Sequence, residues 1–178
     1  MRSVSIAANY AEALFSLGER SQQTELYAGL IAAVSSAIQD LPLAQAVMLS
    51  PKVTKAAKGE ILARALPQAP REFVLFLQAV VKRSRQNLFP EIALAYRGLV
   101  DTKFNRVRAT VSMARTPDDG LKQALTSALA AVVGKEVLAE FLLDADLLGG
   151  VLVRIDDRGY DGTVRRRMTR LRRQLLSR

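Results

Sequence analysis

Cysteine and histidine are both absent from the 178 residues. Without cysteine there are no disulfides and no thiolate metal sites. Without histidine the chain lacks the commonest metal ligand and the commonest general base near neutral pH, so much enzyme chemistry loses its usual groups. No uncharged apolar run of about 18 residues occurs and the N-terminus has no apolar signal core, which predicts a chain neither membrane-spanning nor exported, in a cytoplasm-type compartment. What is present is enough apolar material for a core. At 49% hydrophobic the sequence suits one ordinary domain or two small ones and is too apolar for disorder.

The net charge of +9 is unevenly placed. From Thr163 onward come Arg165, Arg166, Arg167, Arg170, Arg172, Arg173 and Arg178 with no acid, so seven of the nine excess charges lie in a C-terminal tail. Such a tail suits phosphates, anionic lipid or an acidic protein, and equally a solvated helix face.

Residues 3–105 read as helical throughout. Ser3 or Ser5 caps a first helix with Ile6, Tyr10, Ala13, Leu14 and Leu17 at three- and four-residue steps, and Gly18 lies near its end. A second helix, about Gln22 to Gln39, carries Leu26, Leu30, Ile31, Val34 and Ile38 and stops before Pro42, where a short third begins. Thr54 caps a fourth, closed by Pro67 and Pro70. The run REFVLFLQAVVKRS is apolar over more than half its circumference (Phe73, Val74, Phe76, Leu77, Val80, Val81), as in a central helix or one with a second face for a partner. A sixth helix runs from Leu88 to about Phe104, launched by Asn87 with Pro90 in its first turn, and carries Leu88, Ile92, Leu94, Ala95, Leu99 and Val100. Residues 1–105 are thus expected to form an all-α six-helix bundle.

After it the period changes. Val107, Ala109, Val111 and Met113 alternate with Arg108, Thr110 and Ser112, a strand with one wet face. Thr116-Pro117-Asp118-Asp119 starts a helix through Leu121, Leu125, Leu129 and Val132 that stops at Gly134; EVLAEFLL and GGVLVRI are further strands, DDRG a turn. Thr163 caps a last helix with Met168, Leu171 and Leu175 inward and arginines outward. Residues 106–178 are expected to be a small α+β domain ordered strand, helix, strand, strand, helix, so the fold class is mixed.

The segment LLGGVLVRIDDRGYDGTVRRR superficially suggests a phosphate loop. There the glycines would follow a strand and open a helix, whereas Gly149-Gly150 precedes a strand and Gly159 and Gly162 sit in turn positions. Paired glycines in that place mark a tight bend or a close backbone approach. Asp144, Asp146, Asp156, Asp157 and Asp161 lack a calcium-loop spacing and read as strand ends and turns. No cofactor or metal is called for. Arg165 to Arg167 oppose the helix dipole, and the last 17 residues contain no aromatic for base stacking. An apolar stripe backed by a cationic face suits an acidic helix as well as phosphate.

Three segments resemble the delta subunit of bacterial F-type ATP synthases, whose mitochondrial relative is the oligomycin sensitivity-conferring protein. AANYAEALFSLG is similar to the opening helix, with Tyr10, Ala11, Ala13 and Phe15. LSPKVTKAAKGEIL with FLQAVVKRSRQNLFPEIALAYRGLVD is similar to the middle helices, including Leu88, Pro90 and Tyr96. DADLLGGVLVRIDDRGYDGTVRRRMTRLRRQL is similar to the segment where Asp-Gly-Ser-Val precedes the last helix. Departures are Asp156 for glycine, Gly159 for an apolar residue, Thr163 for serine, and KRSRQ for a Glu-Asn-Gly-Arg type turn.

The resemblance implies a non-catalytic stator, one copy per complex, that holds the catalytic head against rotor torque so that rotation drives ATP synthesis. It implies an N-terminal domain on the N-terminal helix of an alpha subunit and a C-terminal domain on the ends of the peripheral-stalk b subunits. It also implies attachment to the cytoplasmic side of the bacterial inner membrane only through the complex, with no nucleic acid. On that basis Tyr10, Ala13, Leu14, Leu17, Phe76, Leu77, Val80 and Val81 are expected to form or border the alpha-helix groove, though each also fits a plain core role. Arg166, Arg170 and Arg173 are expected to face the stalk. An RNA-binding accessory protein using the basic tail is the alternative, and an enzyme a third.

Overall fold

The computed structural model describes residues 2–155 and 158–176. The expected turn residues Asp156 and Asp157, and Arg178, lie outside them. The chain divides into two compact units, one ending at Asp101 and the other beginning at Thr102.

Among the described residues the first unit holds six α-helices: α1 (Arg2–Arg20), α2 (Thr24–Asp40), α3 (Pro42–Leu49), α4 (Lys55–Ala65), α5 (Arg71–Lys82) and α6 (Phe89–Lys103), the last preceded by a 3-10 turn at Gln86–Leu88. Proline at the first position of α3 costs no hydrogen bond, and the Thr54 hydroxyl accepts from the Ala57 N–H, 3.2 Å, to start α4. Helix α5 is central: Phe73, Phe76, Leu77, Val80 and Val81 are all buried, together with Leu14, Tyr27, Ile31, Phe89, Ile92 and Tyr96 from its neighbours. No helix among the described residues is long and apolar enough to cross a membrane.

Several local expectations shift. Helix α1 begins at Arg2, so Ser5 lies within it and is not a cap. Gly18 lies near the end of α1, as expected, but the left-handed residue that ends the helix is Gln22, with φ of 54°, two residues past Arg20, while Gln23 N–H returns to the Gly18 carbonyl. Leu26 and Leu94 are exposed because Tyr27 and Ala93 hold the inward positions beside them.

The role of Gly18 is close contact. A Cβ there would stand 2.8 Å from the Tyr96 hydroxyl and 3.2 Å from Thr24 Cα, where the buried Tyr96 hydroxyl donates to the Thr24 carbonyl at 3.0 Å. A second buried polar contact closes α3: the Lys58 ammonium donates to the Ser50 carbonyl at 2.7 Å and the Gln86 amide to the Met48 carbonyl at 3.1 Å. These carbonyls end a helix and have no partner of their own along it, so the Gln86 amide and the buried Lys58 cation satisfy one orphan group each, and the cation also meets the negative end of the helix dipole.

In the second unit, β1 (Arg106–Met113), β2 (Glu136–Leu143), β3 (Val151–Ile155) and β4 (Arg158–Asp161) form one sheet in the order β2-β1-β3-β4. β1 and β2 are parallel, joined through α7 (Asp119–Val133); β3 is antiparallel to both β1 and β4. The Asp118 carboxylate caps α7 by accepting from Leu121 N–H, and Gly134 ends it at φ 71°. Val107, Ala109, Val111, Met113, Val137, Val153 and Ile155 make a small core against Leu125, Leu129, Ala130 and Val133. The inward residue at the end of α7 is therefore Val133; Val132 and Leu121 are exposed. β4 is a fourth strand where a turn was expected, with Gly159 opposite Arg154. Its four residues are all exposed and only Tyr160 is apolar, so no alternation announces it.

Because Gly18 sits under a hydroxyl that cannot retreat without breaking a buried hydrogen bond, Gly18→Ala is expected to lower stability by about 1–3 kcal/mol in urea unfolding. Gly29→Ala, in open space on α2, is expected to raise it by roughly 0.5–1 kcal/mol. Equal effects at the two positions would contradict the contact assigned to Gly18.

Candidate functional site

Two surfaces, one in each unit, carry apolar residues left open by the described residues around them. On α1 the residues facing the core are Ala7, Ala11, Leu14 and Gly18. One position earlier in each case, about 100° round the helix, lie Ile6, Tyr10, Ala13 and Leu17. These form a second apolar stripe that is half-buried, with Ala13 exposed. A helix with two adjacent apolar stripes has more apolar circumference than one packing partner needs.

The second stripe borders a shallow cleft of about 230 Å³ lined by Ile6, Asn9, Tyr10, Ala13, Arg83 and Arg85. The Tyr10 ring stands edge-on to Phe76, with centroids 6.2 Å apart, and its hydroxyl accepts from Arg85 Nη1 at 3.3 Å. Backbone bonds from Ser84 N–H to the Val81 carbonyl and from Arg85 N–H to the Val80 carbonyl close α5, with Ser84 at φ 56°. That left-handed residue is what turns Arg85 back toward α1.

The eight residues expected at the groove therefore separate. Tyr10, Ala13 and Leu17 are on the accessible stripe and Phe76 lies beneath Tyr10. Leu14, Leu77, Val80 and Val81 are no more than 1% exposed and belong to the core under the groove. Arg83 and Arg85 were missed because a turn between helices carries no periodic signal.

The second surface is α8 (Val164–Leu176). Thr163 is buried and its hydroxyl accepts from Arg166 N–H, 3.3 Å, giving the expected cap. The expected inward stripe is not inward: Met168, Leu171 and Leu175 are 60%, 56% and 76% exposed, and all described residues of α8 are exposed. Arg166, Arg170 and Arg173 recur along the other side with Asp161 and Thr169 near their start. The helix is tied down at its N-terminal end. Val164 N–H donates to the Gly149 carbonyl at 3.0 Å and Gly162 N–H to the Val151 carbonyl at 2.9 Å. Gly150, at φ 84°, passes so close that a Cβ would lie 2.5 Å from the Gly162 carbonyl oxygen. The glycine pair is thus a backbone crossing point, and no phosphate cradle.

The acids here shape turns. Asp144 accepts from Asp146 N–H at 3.0 Å. Asp161 is held below the usual carboxylate range by the Thr163 N–H, 2.9 Å, then by the Thr163 hydroxyl and the charge of Arg166. No group of three or more acids able to hold a metal ion occurs among the described residues.

A family model described as the ATP synthase delta (OSCP) subunit matches residues 6–175. ATP synthase subunit delta of Gemmatimonas aurantiaca is 36% identical over 172 residues, covering 96% of this chain and 93% of that protein. The same subunit of Syntrophobacter fumaroxidans is 33% identical over 180 residues, covering 98% and 97%. Among solved structures, a chain of the Toxoplasma gondii mitochondrial ATP synthase hexamer superposes with a TM-score of 0.68 at 20% identity, covering 96% of this chain and 97% of that one, which shows a shared fold.

The depressed Asp161 value gives the start of α8 a pH dependence. Its contribution is complete above the ordinary carboxylate range near pH 4 and fades as pH falls through the lower folded value. Carbon chemical shifts of residues 164–170 are expected to lose helical character on going from about pH 5 to about pH 2, and Asp161→Asn to flatten that titration. An unchanged acid titration in the variant would contradict the role given to Asp161.

Proposed function

We propose, from the premise that this chain belongs to the ATP synthase delta (OSCP) subunit family, that its two units hold two different partners at once. The first takes the N-terminal helix of one alpha subunit of the catalytic head, and the second takes the C-terminal ends of the peripheral-stalk b subunits. Membership makes the chain a stator component of a rotary ATP synthase, associated with the membrane through that complex. We place it as one copy per complex at the cytoplasmic side of a bacterial inner membrane, and read it as non-catalytic. The RNA-binding alternative has no support in the family.

The observation that carries this reading is a pair of apolar stripes, one half-buried on α1 with Ala13 exposed and one fully exposed on α8. A stator needs no reacting groups; it needs static contacts that do not slip under torque. An amphipathic helix laid along Ile6, Tyr10, Ala13 and Leu17 buries about 600–1,000 Å² per partner, enough for tight binding when a few anchors are well packed. On α8 the apolar stripe supplies burial. Arg166, Arg170 and Arg173 supply charge complementarity, which sets partner choice and encounter rate more than affinity.

Truncating Leu14 or Val80 does not discriminate, because each is core and its loss costs about 2–5 kcal/mol of folding stability. Ala13 does. Ala13→Arg, at an exposed position, is expected to leave the urea midpoint unchanged and to weaken binding of an alpha-subunit N-terminal peptide at least about ten-fold. Unchanged affinity contradicts the site. For the stalk, reversing Arg166, Arg170 and Arg173 to glutamate is expected to weaken binding of a peptide spanning the C-terminal end of b. The loss should shrink as salt rises from about 0.05 to about 0.5 M; a salt-independent loss, or none, counts against the arginine face.

A further inference from the structure

We propose that in a chain not yet assembled α8 lies on an anionic lipid bilayer, its apolar stripe at the acyl boundary and the arginines beside that stripe on the phosphate headgroups. This adds a direct lipid contact to the association through the complex. It stands apart from the stalk reading, because it rests on a different set of arginines.

Helix α8 is VRRRMTRLRRQLL, with six arginines, no acid and no aromatic. At about 100° per residue, Val164, Met168, Leu171 and Leu175 fall within an arc of about 60°. Arg165 and Arg172 lie about 70–90° to one side of the centre of that arc, and Arg167 about 70° to the other. Arg172 lines a shallow surface together with Met168, Leu171, Leu175 and Leu176, so its aliphatic stem borders the stripe. All described residues of α8 are exposed, which leaves an apolar strip about 20 Å long with no cover among the described residues. The strip continues past the start of the helix: Leu148, 73% exposed, adjoins Gly149, whose carbonyl accepts from Val164 N–H.

Arginines on both borders of a narrow apolar strip suit a plane. In a helix lying at a bilayer surface the apolar side chains enter the acyl boundary, while long cationic side chains at the edges reach back to the headgroups. Each arginine is also drawn by the potential of an anionic leaflet, within a Debye length of it. Four apolar side chains hold a chain only weakly on a neutral bilayer, so binding needs the stripe and the charge together. A nucleic acid would engage the arginines but leave the stripe in water, and α8 offers no aromatic for base stacking.

The test is co-sedimentation of the full chain with vesicles of phosphatidylcholine, with and without about 30% phosphatidylglycerol, at low and high salt. Leu171→Ser with Leu175→Ser, and Arg165, Arg167 and Arg172 all changed to Gln, are compared with the parent; urea unfolding checks that these exposed substitutions leave folding intact. The parent is expected to bind the anionic vesicles at least about ten-fold more tightly than the neutral ones, less so as salt rises, and each variant to lose at least about ten-fold on the anionic vesicles. Equal binding to both vesicles, binding to neither, or a leucine variant that binds like the parent overturns the proposal. Release of the parent by excess soluble glycerol phosphate assigns the arginines to a free phosphate and overturns it too. So does tighter binding to a single-stranded RNA oligonucleotide than to the vesicles, unaffected by the leucine changes.

Discussion

An amphipathic helix with its apolar stripe in water is unfavourable, and the described residues of the second unit do not offset that; the organisation of the unit depends on this constraint. A helix of 13 residues has marginal stability by itself. In α8 the first turn also carries Arg165, Arg166 and Arg167 against the dipole. Its start is nonetheless held by the Thr163 cap, the Asp161 turn and the crossing of Gly150 beneath Gly162. Fixing the origin of a helix while leaving its length uncovered is the geometry of a docking element. Burying the 56–76% of Met168, Leu171, Leu175 and Leu176 that is exposed returns roughly 4–8 kcal/mol, the usual value per apolar side chain scaled by that fraction, enough to offset the ordering of a partner segment.

The first unit meets a similar constraint differently. Its helix α1 already has one stripe in a core built around α5. A helix docked there, as the proposed function has it, would need no folding of the chain itself; it would fill a surface already formed. The two units therefore suit two kinds of joint, a preformed groove for one partner and a helix completed by the other. A link with both is suited to a stator, where each contact must persist through many cycles of torque.

Much of this was legible in the sequence. The six helices follow from three- and four-residue steps and from the stops at Pro42, Pro67 and Pro70. The mixed second unit follows from the alternation in β1, the helix start at residues 116–119, the stop at Gly134 and the cap at Thr163. Strand β4 was not legible, since four exposed residues including Gly159 have no burial pattern to show. The periodicity of α8 was legible but its direction was not: a stripe at Met168, Leu171 and Leu175 says that something must cover it, and not whether the cover is in the same chain. Likewise the excess apolar width of α1 was visible, whereas Leu77, Val80 and Val81 on α5 read the same whether they line a groove or fill a core. The placement of Arg85 at the cleft escaped because it comes from a left-handed Ser84 and a contact 75 residues away in sequence.

Whether α8 is completed by a partner is decided by hydrogen exchange across residues 164–176, compared between the free chain and the chain assembled with the stalk. In the free chain the amides beyond the capped first turn, 168–176, are predicted to exchange nearly as fast as an unfolded segment, and in the assembly to become strongly protected, while β1 and α5 change little. Strong protection of that segment in the free, monomeric chain, or none in the assembly, would contradict a helix that waits for its cover.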